Sequence, residues 1–163
     1  MEIENKVVVQ IGPGVAAVPR AAVLRRWATA ALHGIGRSGS LCIRLVDAAE
    51  MTDLNVRFRH GSGTTNVLSF VADAEVPDSG ERLLGDVVIC APVVALEATA
   101  QNKKTADHFA HLVVHGVLHL CGYDHTKAAA ARVMEGHEVA ILRGLGIGDP
   151  YIFTSKSAGT RRA

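Results

Sequence analysis

The segment His115-Gly-Val-Leu-His119-Leu-Cys-Gly122-Tyr-Asp-His125 constrains the fold of this chain more than any other stretch. His115 and His119 are four residues apart, so on a helix they share one face with Cβ atoms about 5–6 Å apart. Both rings can then reach one ion, with zinc–nitrogen bonds of about 2.0–2.1 Å. Gly122 tolerates positive φ and suits a helix end, so the chain can turn there and bring His125 back to the same point. Three neutral imidazoles leave a zinc ion with an open fourth position, the arrangement of catalytic rather than closed structural sites. Histidine pairs at this spacing arise by chance in a chain with 8 histidines. A third histidine placed just past a glycine is far harder to obtain by accident, and the segment points to a metal-dependent hydrolase.

Composition narrows the surroundings of such a site. A chain of 163 residues fits one domain that buries roughly 70% of its unfolded surface. Hydrophobic residues at 48% and charged residues at 20% are those of an ordinary globular protein. A formal net charge of +1 is no general signal for nucleic acid, so any RNA contact must rely on a local basic patch. There is no apolar run long enough to span a bilayer, and no membrane partner is expected. The start, MEIENKVVVQ, lacks the basic and apolar regions of a signal peptide. Cys42, Cys90 and Cys121 form no paired motif and read as reduced core residues of a cytoplasmic protein.

The hydrophobic pattern gives the order of elements. Val7, Val9 and Ile11 alternate as in a strand that Pro13 and Gly14 end. Pro19 suits the first turn of a helix over 19–33, with Val23, Leu24, Trp27 and Ala31 inward. Leu41 to Val46 reads as a second strand, and Asp47 with Glu50 has capping-box spacing for a helix carrying Met51, Leu54 and Phe58. A third strand is expected from Asn66 to Ala72, an acidic surface loop from Asp73 to Glu81, and a fourth strand from Leu84 to Cys90. Ala91 and Pro92 open a helix to about Gln101, and Thr105 is placed to cap the helix carrying His108, His111, His115 and His119. A last helix is expected from about Lys127 to Leu145. The expected fold is a single α+β domain over residues 1–153, a mixed four-stranded sheet packed with about five helices. Residues 154–163 read as a disordered basic tail.

The spacing of the histidines also matches the metzincin metalloproteases, whose general base is a glutamate directly after the first histidine. Gly116 stands there instead, which argues against proteolysis. The run HGVLHLCGYDH resembles the signature of the YbeY endoribonucleases, and the resemblance extends beyond it. Leu54-Asn55 with Phe58-Arg59 resembles that family's LN-x-x-[FY]-R segment. Thr65-Asn66-Val67-Leu68-Ser69-Phe70 resembles its TNVLSF strand, Gly85-Asp86-Val87-Val88-Ile89 its GD-I-x-I strand, and Asp149-Pro150-Tyr151 its C-terminal ending. Several independent motifs in order, over roughly residues 40–151, are far more specific than one.

The resemblance implies a zinc-dependent endoribonuclease that prefers single strands. Its substrates would be small-subunit (16S) ribosomal RNA precursors, and it would act in ribosome quality control with the ribosome and its proteins as partners. It implies that His115, His119 and His125 bind one zinc ion and that Arg59 is catalytic. A guanidinium there would stabilise charge on a phosphorane-like transition state. The family's loop after the arginine usually carries a lysine–aspartate pair and often a proline, whereas this chain has His60-Gly61-Ser62-Gly63-Thr64, more flexible and altered in charge.

Other residues admit two readings each. His111, one turn before His115, lines the site or bonds a phosphate, or else is a core or surface histidine. Asp124 orients a ligand imidazole, or is a turn residue. His108 and His137 read as structural, Met134 as core beneath the metal, Tyr123 as packing or substrate contact, and Ser69 and Asp86 as organisers of the sheet edge. The rival functions are a metzincin-like zinc metallopeptidase and a non-catalytic ribosome assembly factor with a zinc site.

Overall fold

A computed structural model of the chain describes residues 5–59, 61 and 63–152. The elements run in the order Lys6–Ile11 (β1), Ala21–Gly34 (α1), Ser40–Val46 (β2), Ala48–Arg59 (α2), Val67–Glu75 (β3), Arg82–Cys90 (β4), Ala91–Ala100 (α3), Thr105–Leu120 (α4) and Ala128–Gly144 (α5). The strands form one mixed sheet in the order β1-β2-β4-β3. β1 and β4 run parallel to β2, while β3 is antiparallel to β4 and forms one edge of the sheet. This is the α+β fold expected, with four strands and five helices among the described residues.

The sheet separates two apolar layers. Leu41, Ile43 and Leu45 of β2 and Val87 and Ile89 of β4 point to one face. They meet Leu24, Trp27, Phe109, Val113 and Val117 of α1 and α4 there. Full burial of each such side chain contributes about 1.5–3 kcal/mol. α4 is apolar nearly all round and buried along its length, because the sheet, α1, α3 and α5 enclose it. On the other face Val46, Met51, Val88 and Cys90 form a smaller cluster beside α2 and α3.

Local chemistry shifts several expected boundaries. α1 starts at Ala21 with Arg20 as its N-cap, so Pro19 precedes the helix instead of opening it. The Asp47 side chain accepts from the Glu50 N–H at 2.8 Å, as a cap should. Glu50 does not reach back to complete the capping box, because its carboxylate is engaged by Arg44 at 2.6 and 2.9 Å. Thr105 is the first residue of α4 and Lys104 its N-cap, without a side-chain cap bond. β3 continues through Asp73 to Glu75, into what reads as a loop, because an irregularity between Val71 and Ala74 lets pairing with β4 resume. Asp73 takes φ of 44° there. Phe58 lies on the expected apolar face of α2 yet is 57% exposed.

The three cysteines are free, and burial raises each thiol above its ordinary pKa. No helix among the described residues is long and apolar enough to cross a membrane. His60, Ser62 and the basic tail lie outside the described residues.

Candidate metal centre

α4 delivers His115 and His119 from its last turns, with ring centroids 4.7 Å apart. The helix then ends in a Schellman motif. The Gly122 N–H donates to the His119 carbonyl at 3.1 Å and the Tyr123 N–H to the Leu118 carbonyl at 3.1 Å. Gly122 adopts φ of 96°, where a Cβ would be strained. The reversal returns His125 to within 4.9 Å of the His119 ring and 5.3 Å of the His115 ring, centroid to centroid. His119 Nε2 and His125 Nδ1 are 3.0 Å apart. One donor nitrogen from each of the three rings lies within 4.8 Å of the others.

Among the described residues Asp124 bonds the turn and no imidazole ring. Its carboxylate accepts from the His125 and Thr126 N–H groups at 2.7 and 3.2 Å and from the Thr126 hydroxyl at 2.9 Å. It is therefore the turn residue of its two readings, holding the backbone that carries His125. The carboxylate that does grip a ring is Glu138 of α5, which sequence reasoning missed. Glu138 is fully buried, and its Oε2 lies 2.6 Å from His115 Nδ1. With Nδ1–H committed to that bond, His115 presents Nε2 to an ion. Glu138 Oε1 accepts from the Tyr151 hydroxyl and lies 3.5 Å from His111 Nε2, itself 3.3 Å from the Tyr151 hydroxyl oxygen. His111 is thus buried beside the centre, in the network behind His115.

Electrostatics follow from this packing. Burial alone would raise the Glu138 carboxyl, but hydrogen bonds from His111 and His115 outweigh it and hold the group at about 2. His119 is pushed down to about 4, first by burial and then by His115 and His125. Both shifts keep the groups in the form a metal centre needs: an anionic carboxylate behind a neutral imidazole face. The donor set fits one ion that favours imidazole nitrogen. His111, His115 and Glu138 also cluster closely enough to hold an ion, but His115 Nδ1 and both Glu138 oxygens are already engaged with one another, with Tyr151 and with His111.

A cavity of about 360 Å³ opens beside His115 and His125, lined also by Asn66, Val67, Met134 and Tyr151 among others. Met134 is buried, as expected of core beneath the centre. His108 bonds Glu97 at 2.9 Å, and burial lowers its pKa, consistent with a structural role. His137 packs against Tyr123 with ring centroids 5.0 Å apart. Asp86 is exposed on the sheet face opposite α4.

Arg59 ends α2 beside β3, the edge strand of the sheet. It donates to the Ser69 carbonyl and lies over the Phe70 ring at 5.0 Å. Ser69 links the two places, because its hydroxyl donates to the Gly116 carbonyl at 3.2 Å. Gly116 itself faces the sheet. A Cβ there would stand 2.5 Å from Val87 Cγ1, so no side chain at this position could serve as a base over the metal.

Comparison with known proteins agrees with this picture. A family model described as Endoribonuclease YbeY matches residues 20–146. The chain is 55% identical over 140 residues to Endoribonuclease YbeY of Alkalilimnicola ehrlichii, covering 83% of this chain and 84% of that one. It is 51% identical over 139 residues to the protein of the same name from Nitrosococcus oceani, covering 83% and 90%. The solution structure of TM1509 from Thermotoga maritima shares the fold with a TM-score of 0.57 at 20% identity, covering 86% of this chain and 91% of that one.

Proposed function

This chain belongs to the YbeY endoribonuclease family, and from that premise we propose a zinc-dependent endoribonuclease that cuts single-stranded RNA. Its work would be maturation of 16S ribosomal RNA and ribosome quality control in the cytoplasm, beside the ribosome. Residues 1–153 would act as one domain, with 154–163 as an appended basic tail. The observation that carries the reading is the convergence of His115, His119 and His125 with the Glu138 carboxylate behind His115.

The three histidines would hold the ion. Zinc held there would supply Lewis acidity toward the phosphate. Glu138 keeps the proton on His115 Nδ1, fixing the tautomer and the ring plane. Arg59 stands at the strand edge, where its guanidinium would meet a scissile phosphate and stabilise charge that grows as phosphorus becomes five-coordinate. Gly116 stands at the position of the protease base and leaves no room for a side chain there, which disfavours peptide cleavage.

Cleavage of a labelled ribosomal RNA fragment by folded wild type, His119→Ala and Arg59→Ala tests this. Removal of the ion with a chelator should abolish cutting, and zinc should restore it. His119→Ala should be inactive. Arg59→Ala should lose about 10²–10³ in rate, the usual cost of one charge-stabilising donor, with metal content unchanged. Loss of metal from Arg59→Ala would contradict its assigned role. A folded, zinc-loaded wild type that binds RNA without cutting it would favour the assembly-factor reading.

A further inference from the structure

The centre uses one face of the sheet, while the opposite face carries a groove of about 440 Å³ between α2 and the strands. Leu54, Phe58, Phe70 and Val88 give it apolar walls, and Gln10 and Asp86 line its polar side. Building on the endoribonuclease reading, we infer that this groove takes an unstacked nucleobase of the RNA substrate, with Phe58 as its stacking wall.

The walls suit a base by shape and chemistry. A base has two flat apolar faces and an edge of donors and acceptors. Phe58 is 57% exposed and meets Phe70 edge-on, with ring centroids 5.9 Å apart. A phenylalanine left in water beside a groove is surface that a stacking partner would cover. Asp86 accepts no hydrogen bond from a described residue and is available to the amino group of a base. Arg44 and Glu50 are locked to each other at 2.6 and 2.9 Å, so they form a rigid wall with no uncompensated charge.

The surroundings suit the backbone that would carry that base. Arg59 lies 5.0 Å from the centre of the Phe70 ring, and Arg57, paired with Asp53 at 3.3 Å, lies 5.8 Å from that of Phe58. Positive charge beside aromatic rings is the usual composition of a single-strand groove.

Ser69 and Phe70, adjacent on the edge strand, face opposite ways. Ser69 faces α4, bonding the Gly116 carbonyl beside His115, and its own carbonyl holds Arg59. Phe70 lines the groove. An RNA strand leaving the histidines over the free edge of β3 would therefore pass Arg59 and arrive at Phe58. A paired and stacked base cannot enter, so the groove would also select single strands.

The test combines kinetics with a titration independent of cleavage. Phe58→Ala should raise KM for a single-stranded oligonucleotide about tenfold or more, the usual effect of losing one base stack, with kcat within about twofold and metal content unchanged. Phe58→Trp should keep the wild-type KM. In parallel, adenosine monophosphate should shift the NMR signals of the Leu54 and Val88 methyls in wild type but not in Phe58→Ala. An unchanged KM together with unmoved methyls would overturn the inference. A wild type that cuts no RNA would refute the endoribonuclease reading instead, and the titration alone would then judge the groove.

Discussion

Glu138 is a fully buried carboxylate whose two oxygens are both engaged by neighbouring side chains. A carboxylate with no solvent exposure persists only if hydrogen bonds replace its hydration, and three groups converge on it. The arrangement is reciprocal. Glu138 needs the N–H of His115, and His115 needs Glu138 to hold its ring with Nε2 outward. Replacing Glu138 by Gln keeps the volume but removes the charge, so His115 loses orientation and basicity. Zinc affinity measured by competition with a chromogenic chelator should fall about 10- to 100-fold. Glu138→Ala should also lower the melting temperature, because it removes the carboxylate that accepts from the His115 N–H and the Tyr151 hydroxyl. Unchanged zinc affinity in Glu138→Gln would reduce the contact to packing.

At the scale of elements, the site depends on how closely α4 sits on β4. Gly116 is the point of contact, since a Cβ would meet Val87 Cγ1 at 2.5 Å and Cγ2 at 3.1 Å. Gly116→Ala should cost about 1–3 kcal/mol by overpacking, lowering the melting temperature by about 2–4 °C per kcal/mol for a chain of this length. Val87→Ala in the same molecule should return part of the loss, a coupling that a thermal double-mutant cycle reads directly. Strict additivity would mean that the helix does not rest there. The same scale explains what could be read in the sequence. His115, His119, Gly122 and His125 were legible because their geometry is local: one helix face, then one turn closed by backbone bonds. Glu138 was not, since a glutamate in a 17-residue helix ordinarily reads as solvated surface. The available signal was its place on the buried stripe with Met134, Ile141 and Leu142, where a charge demands a partner. Arg59 shows the opposite limit. Its motif drew attention to it, but only the edge position of β3 reveals what it holds.

Over the whole molecule, the centre is joined from three successive segments of the C-terminal third of the described chain. α4 and its turn bring three rings, α5 brings Glu138, and the segment after α5 brings Tyr151 back across the bundle. That last segment is anchored by the Tyr151 hydroxyl on Glu138, by the packing of its ring against His111, and by the Lys103 ammonium on the Pro150 carbonyl. It also walls part of the cavity beside His115 and His125. A chain ending at Ile147 keeps every strand and helix, so its far-ultraviolet circular dichroism should match that of the full chain. It loses these anchors and opens Glu138 to water, which weakens the carboxylate's hold on His115. Zinc affinity should therefore fall, and the melting temperature with it. Tyr151→Phe separates the contributions: the ring remains and only the hydroxyl is lost, so its zinc affinity should lie between those of the full and shortened chains. If the shortened chain bound zinc as tightly as the full one, the terminal segment would be covering alone, and positioning of His115 would rest on α5 by itself.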